Sequence, residues 1–128
     1  MNYLLLALGG IAGTFARYFF SGWVMGRHTT SFPYGTLAVN SAGCLLIGLF
    51  AALDLQKGLG FSAKLMLITG FCGAFTTFSA LVFESFYLLR EQGPGPAALN
   101  IVLNLVLGFL FLAAGLKMGG FSAARLKP

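Results

Sequence analysis

Four apolar stretches, each about as long as the roughly 20 residues one helical crossing of a bilayer core requires, take up nearly the whole chain and leave no room for a water-soluble domain. Of the 128 residues, 58% are hydrophobic and 9% charged, against roughly a quarter charged in an average soluble domain. Composition therefore asks for a hydrocarbon solvent, and residues 1–128 read as a single transmembrane domain of an all-α membrane protein. A net charge of +5 with a pI near 9.6 would suit nucleic acid if the basic residues were clustered. They are scattered, and most fall where helices should leave the membrane, so they read as topology signals and imply no nucleic-acid partner.

The expected spans are residues 3–24, 34–53, 61–89 and 97–116. No basic segment precedes the first, which reads as a membrane helix and not as a cleaved signal peptide. Pro33 suits the start of the second, and Asp54, Lys57 and Gly58 mark its exit into a short loop. The third stretch is interrupted by glycine, threonine and serine between Gly70 and Ser79, poor helix formers in such density, so two half-helices joined by a break are expected there. Irregular backbone at membrane depth is tolerated where protein or a watery cavity satisfies it, which makes this break a candidate site. Arg90 to Pro96 reads as a turn, and a basic tail follows the fourth span.

An even number of spans puts both termini on one side, with Lys57, Lys64, Lys117, Arg125 and Lys127, against Arg27 and Arg90 opposite. That bias favours termini inside a cell (inner or plasma) membrane that the chain crosses several times. So few membrane residues are short measure for a pore, so at least two copies are expected to associate; copies inserted in opposite orientations would mimic the inverted repeats of larger transporters. Cys44 and Cys72 lie in apolar surroundings and read as packing residues, implying neither disulfide nor metal site.

Several residues could carry chemistry. Thr36 and Asn40 are one helical turn apart, with Gly43 continuing the face. That face can serve interhelical hydrogen bonding, or it can offer the Asn40 amide to an anion. Asn100, Asn104 and Gly108 form a similar stripe on the fourth span, either packing glue or the lining of an aqueous entrance, with Leu112 interrupting it. At the break, free carbonyls suit a dehydrated alkali cation, while the positive ring edges of Phe71, Phe75 and Phe78 can approach an anion. Arg17 within the first span must snorkel, line a vestibule or pair with an acidic group such as Glu84. His28 sits in a polar loop and suits a surface role, and no motif of an enzyme is present in the sequence.

The segments Gly9-Gly10-Ile11-Ala12-Gly13-Thr14-Phe15-Ala16-Arg17-Tyr18, Gly35-Thr36-Leu37-Ala38-Val39-Asn40 and Thr69-Gly70-Phe71-Cys72-Gly73-Ala74-Phe75-Thr76-Thr77-Phe78-Ser79 resemble, in order and spacing, the three signatures of the Fluc/CrcB fluoride channels. The resemblance covers essentially the whole chain. It implies a passive fluoride channel exporting cytoplasmic fluoride, built as an antiparallel, dual-topology dimer of subunits with four transmembrane helices, the third broken. It further implies a structural sodium ion (Na+) at the dimer centre, held by backbone carbonyls of Gly73 and Thr76 from each subunit.

In the fluoride pathway so implied, Asn40 donates to the anion, Thr36 supports it, Phe78 supplies a ring edge and Arg17 stands at a vestibule, with Ser79, Leu81 and Asn104 along the route. The chain departs from the family pattern where Leu81 replaces a second phenylalanine and where Gly108 and Leu112 replace hydroxyl-bearing residues. A homodimer is expected, with a heterodimer of unlike family members as the alternative. From another class, a proton-coupled exporter of small cations resembling the small multidrug transporters would need a membrane carboxylate, for which Glu84 is the candidate. A non-transporting assembly subunit would have no use for a broken, polar third span.

Overall fold

The computed structural model describes residues 2–121, and they form helices that meet the expected spans closely. Helix α1 is Asn2–Met25 and α2 is Tyr34–Lys57. The third span consists of α3 (Phe61–Lys64), a π-helical stretch (Leu65–Cys72), the single turn α4 (Gly73–Phe75) and, after two extended residues, α5 (Phe78–Gln92). Helix α6 is Pro94–Met118. All four spans are long and apolar enough to cross a membrane, the third running from Phe61 to Gln92 with a bend.

Local chemistry sets the ends. Pro33 stands just before α2, where a missing N–H costs nothing. At the other end Gly58 takes φ 66°, a left-handed conformation that favours glycine, and its N–H returns to the Asp54 carbonyl at 2.8 Å. Asp54 also ties the short loop to the third span: its carboxylate accepts from Leu59 N at 2.9 Å and pairs with Lys64 Nζ at 2.8 Å. Gly93 at φ 94°, followed by Pro94, reverses the chain between α5 and α6. On that side Gln92 Nε2 donates to Ser31 Oγ at 2.5 Å and joins the two loops.

Two parallel helix pairs make up the bundle. Helix α1 runs alongside the first half of the third span, and α2 alongside α6 with Asn40 level with Asn104, Cys44 with Gly108 and Gly48 with Leu112. Lipid supplies little hydrophobic drive between helices, so close backbone approach at small residues has to hold them. Glycines provide it: a Cβ on Gly9 or Gly13 would run into the carbonyl of Met66 or Phe71, and one on Gly48 or Gly115 into that of Leu112 or Leu45. Lys57, Lys64 and Lys117 consequently share one end of the bundle, and Arg27 and Arg90 the other; Arg125 and Lys127 lie outside the described residues. Cys72 is buried and Cys44 half-buried, both as free thiols.

The break is narrower than the sequence suggests. Gly70 to Phe75 remain helical, and the extended backbone is confined to Thr76 and Thr77. Gly70 serves instead as a contact, since its missing side chain admits the Leu6 carbonyl and Gly9 Cα of the first helix. The wider π-turn before it is a feature often found at functional sites.

Gly13→Val is expected to lower the thermal midpoint of the detergent-purified protein, because overpacking a tight contact costs typically about 1–3 kcal/mol. Gly10→Ala, whose Cβ would meet nothing within 4 Å, should not lower that midpoint in the same fluorescence melt, since alanine favours a helix interior over glycine.

Candidate functional site

The break exists because α2 supplies what the helix gives up. Thr77, which in a continuous helix would close a turn onto Gly73, donates its N–H to Asn40 Oδ1 at 2.8 Å, and its carbonyl accepts from Asn40 Nδ2 at 3.1 Å. One carboxamide thus replaces a backbone turn at both ends of a single residue. The same residue caps α5, its Oγ1 accepting from Ala80 N at 3.3 Å. Gly43 completes the fit, because a Cβ there would collide with the Thr76 methyl.

These diversions strip two carbonyls of their helical donors. Thr77 N would have served Gly73 and Ala80 N would have served Thr76, yet both amides are engaged elsewhere. Gly73 is exposed and Thr76 half-exposed, so the released oxygens belong to a face of the subunit not covered by its own helices. Hard, uncharged oxygens at an unwound segment are the donor set that suits an alkali cation.

Beside the break lies a cavity of about 470 Å³ whose wall includes Arg17, Thr36, Thr77 and Glu84. Of the three options open to Arg17, pairing with Glu84 is not the one taken: among the described residues the ion pair is Lys64–Asp54, and Arg17 stands in the cavity wall. Glu84 Oε1 instead accepts from Thr36 Oγ1 at 2.7 Å, while its buried Oε2 has no partner among the described residues. Thr36 therefore approaches the break region through α5, one turn before Asn40.

On the other flank, Phe78 and Leu81 meet in an apolar groove of about 370 Å³ between α5 and α6, with Ser85, Ile101 and Leu105. Phe78 is 78% exposed and Leu81 7%, so the phenylalanine projects outward from the subunit while the leucine fills its interior. Ser79 is exposed beside Phe78.

Asn104 borders a small cavity of about 200 Å³ with Cys44, Gly108 and Leu112. It is buried and linked to Asn40, whose Nδ2 donates to Asn104 Oδ1 at 2.9 Å. Asn100, fully buried, joins it to Ser85 on α5. The polar stripe of α6 is thus an interior bridge between α2 and α5. Sequence reasoning missed Ser85 and the backbone of Thr77. Ser85 carried a signal in its place one residue after Glu84 in an apolar helix; Thr77 carried none that separates its backbone from its hydroxyl.

Taken together, the structure gathers Asn40, Asn104 and Thr76 at the break and sets Arg17 and Thr36 on one side of it. Phe78, Ser79 and Leu81 lie on the other side, and Gly73 precedes the bend. Residues 4–116 match the family model described as CrcB-like protein, Camphor Resistance (CrcB). Among curated relatives, a protein of Maridesulfovibrio salexigens named fluoride-specific ion channel FluC is 44% identical over 119 residues, covering 92% of this chain and 94% of the relative. Proteins of the same name from Thermus thermophilus and Acidobacterium capsulatum are 43% and 42% identical, covering 93% of this chain and 94% and 96% of their own lengths.

Replacing Asn40 by leucine removes three hydrogen bonds and strands both polar groups of Thr77. Each unsatisfied buried group costs about 1–3 kcal/mol, so Asn40→Leu is expected to lower the thermal midpoint markedly in detergent. Asn40→Asp keeps an acceptor for Thr77 N but turns a carboxylate oxygen toward the Thr77 and Asn104 oxygens, so it too should lower the midpoint in the same measurement.

Proposed function

The chain belongs to the CrcB family, and from that premise we propose that it is a passive fluoride channel in which the Asn40 amide is the principal anion donor. The observation that carries this reading is the position of Asn40: a neutral N–H donor at membrane depth, beside an unwound segment and one short step from the outward ring of Phe78. Fluoride holds its water tightly, and a pathway must replace that hydration without trapping the ion. Conduction needs binding favourable enough to admit the ion and weak enough to release it. An amide N–H and the positive edge of a phenyl ring supply directed, partial positive charge, which meets both demands. The multi-pass membrane setting follows from the four spans.

The subunit as it stands has an uncovered seam. Gly73, Phe78 and Ser79 are exposed around the bend, and irregular backbone in the hydrocarbon region must be covered by protein or water. A second copy in the opposite orientation would bury that seam and bring two sets of Gly73 and Thr76 carbonyls together. Those four oxygens fit a sodium ion, which would serve structurally, tying two bends whose carbonyls have lost their helical donors. In the assembled channel the chain's own residues do the rest: Asn40 donates to the anion, Thr36 holds the Glu84 carboxylate aside through its hydroxyl, and Phe78 presents its edge toward the neighbouring subunit's path. Arg17, in the cavity wall, favours anions approaching the site.

Fluoride is expected to leave loaded liposomes containing the purified chain when a potassium ionophore sets the voltage, while chloride stays. Efflux that appears only under an imposed proton gradient would replace the channel by an exporter. Asn40→Asp should abolish fluoride flux in assembled protein, since a carboxylate repels the anion and removes the donor. Flux like that of the unaltered chain in this variant would reduce Asn40 to a structural clamp.

Leu81 decides between a competent homodimer and half of an unlike pair. The Phe78 edge and the Asn40 donor are both present, so the homodimer is expected to conduct unaided, and Leu81→Phe to change its flux little. A silent chain that becomes active on Leu81→Phe, or on mixing with a second family member, would favour the heterodimer.

A further inference from the structure

We propose that Asn100, anchored by Ser85, is a positioning residue that sets the direction of the Asn104 amide, whose oxygen holds the exchangeable, anion-facing donor of Asn40. The inference rests on the fluoride-channel reading for its functional consequence, but its geometry stands on the hydrogen bonds alone.

The chain of bonds starts on α5. Ser85 Oγ commits its hydrogen to the Leu81 carbonyl at 2.7 Å, so toward α6 it can only accept, and it accepts from Asn100 Nδ2 at 2.9 Å. A carboxamide has a donor end and an acceptor end. With its nitrogen on Ser85, Asn100 must present Oδ1 the other way, and this oxygen takes Asn104 Nδ2 at 3.1 Å, which also reaches the Asn100 carbonyl at 3.0 Å. Asn104 then presents its own oxygen to Asn40 Nδ2 at 2.9 Å. Asn40 passes the same polarity to the break, giving its second N–H to the Thr77 carbonyl and taking Thr77 N on Oδ1.

Apart from the second Asn40 N–H, which returns to the Thr77 carbonyl, donation runs one way, from Thr77 N at the bend through Asn40 and the two amides of α6 to Ser85 and the Leu81 carbonyl. Ser85, Asn100 and Asn104 are all buried, Asn100 completely, so the amide that links the other two has protein partners in place of bulk water. A reversed Asn104 would set its NH2 against that of Asn40 and its oxygen against both oxygens of Asn100. The first would leave the N–H of Asn40 that faces Asn104 without its acceptor, and the second would break the link between Asn104 and Asn100.

The direction matters because both N–H groups of Asn40 are occupied. The bond to Thr77 is one half of a two-point clamp and cannot be released without opening the other half. The bond to Asn104 ends on a single side-chain oxygen, so that is the one an anion can take over. Asn104 thus holds the donor in place until fluoride arrives, and Asn100 with Ser85 keeps Asn104 turned the right way.

The test compares Ser85→Ala, Ser85→Thr, Asn100→Leu, Asn104→Leu and the double variant Asn100→Leu/Asn104→Leu in the full-length protein. Fluoride efflux from liposomes is measured for each, and side-chain amide resonances of Asn40 in ¹⁵N-labelled protein are followed without fluoride. Asn100→Leu should slow efflux by about tenfold, the scale of one hydrogen bond to a charged group. Ser85→Ala should slow efflux and shift the Asn40 amide signals. Ser85→Thr, whose added methyl has the neighbouring groove to occupy, should restore both.

Because Asn100 acts through Asn104, the double variant should be no slower than Asn104→Leu alone. Independent, multiplying losses would overturn the proposal. So would a Ser85→Ala protein in which either the efflux or the Asn40 signals match those of the unaltered chain. If Asn100→Leu fails to assemble, the two Ser85 variants decide the matter. If the chain passes no fluoride either alone, as Leu81→Phe or mixed with a second family member, the channel reading falls, while the amide signals of Ser85→Ala still decide whether the chain of bonds is directed as stated.

Discussion

A backbone that leaves its helix inside a membrane must find new partners within the protein, because hydrocarbon offers none. Here the need falls at Thr77 and is met by one side chain, the carboxamide of Asn40, which supplies an acceptor for the amide and a donor for the carbonyl. Much of what is distinctive in the subunit follows from this exchange. With Thr77 N turned toward α2, the Gly73 carbonyl is released, and with Thr77 Oγ1 capping α5, so is that of Thr76. The same exchange fixes where α5 begins and therefore where Phe78 projects.

Such a clamp holds only if α2 cannot drift. Lipid gives helices little reason to associate, so the position of α2 depends on close fit with α6 and on the interior amides. Gly48 and Gly115 let the two backbones meet at one end, and Asn40 joins Asn104 toward the other. Helix α6 is in turn fastened to α5 through Asn100 and Ser85. Helix α2 on one side of the bend and the second half of the broken span on the other are therefore held by a common neighbour. The first half is held separately, by the glycine contacts of α1 with Met66, Phe71 and Gly70. The bend is thus fixed from both sides by different physical means: shape on one flank and directed hydrogen bonds on the other.

Much of this could be read in the sequence, because membrane spans announce themselves by length and hydropathy and the spacing of Thr36, Asn40 and Gly43 places them on one face. All three do face the third span. The extent of the break could not be read, since glycine has two uses in a membrane helix, ending it or admitting a neighbour, and composition does not distinguish them. Gly70 has the second use. Charge alone would pair Arg17 with Glu84, but Thr36 offers the carboxylate a hydroxyl across the helix contact. The place of Ser85 in an apolar helix marked it, but a lone serine can bond its own backbone, and the bridge shows only in the approach of Asn100.

The placing of formal charge completes the logic of the site. At 4 Å, opposite unit charges attract by about 4 kcal/mol even at an effective dielectric constant near 20, enough to slow the departure of an anion by orders of magnitude. A pore that must both strip water from a small anion and release it quickly does better with partial charges at the point of closest contact. The closest groups at the break fit that demand: Asn40, Asn104, Thr77 and Phe78 carry no net charge. Arg17 and Glu84 stand in the wall of the adjoining cavity, with opposite signs and without a direct pair. There they can shape the potential an ion meets on approach without becoming a ligand it must escape. The cost of this arrangement is that neutral donors have to be aimed, since a dipole pointed the wrong way repels what it should bind. Under the proposed role of Asn100, the sequence of amides behind Asn40 would meet that requirement.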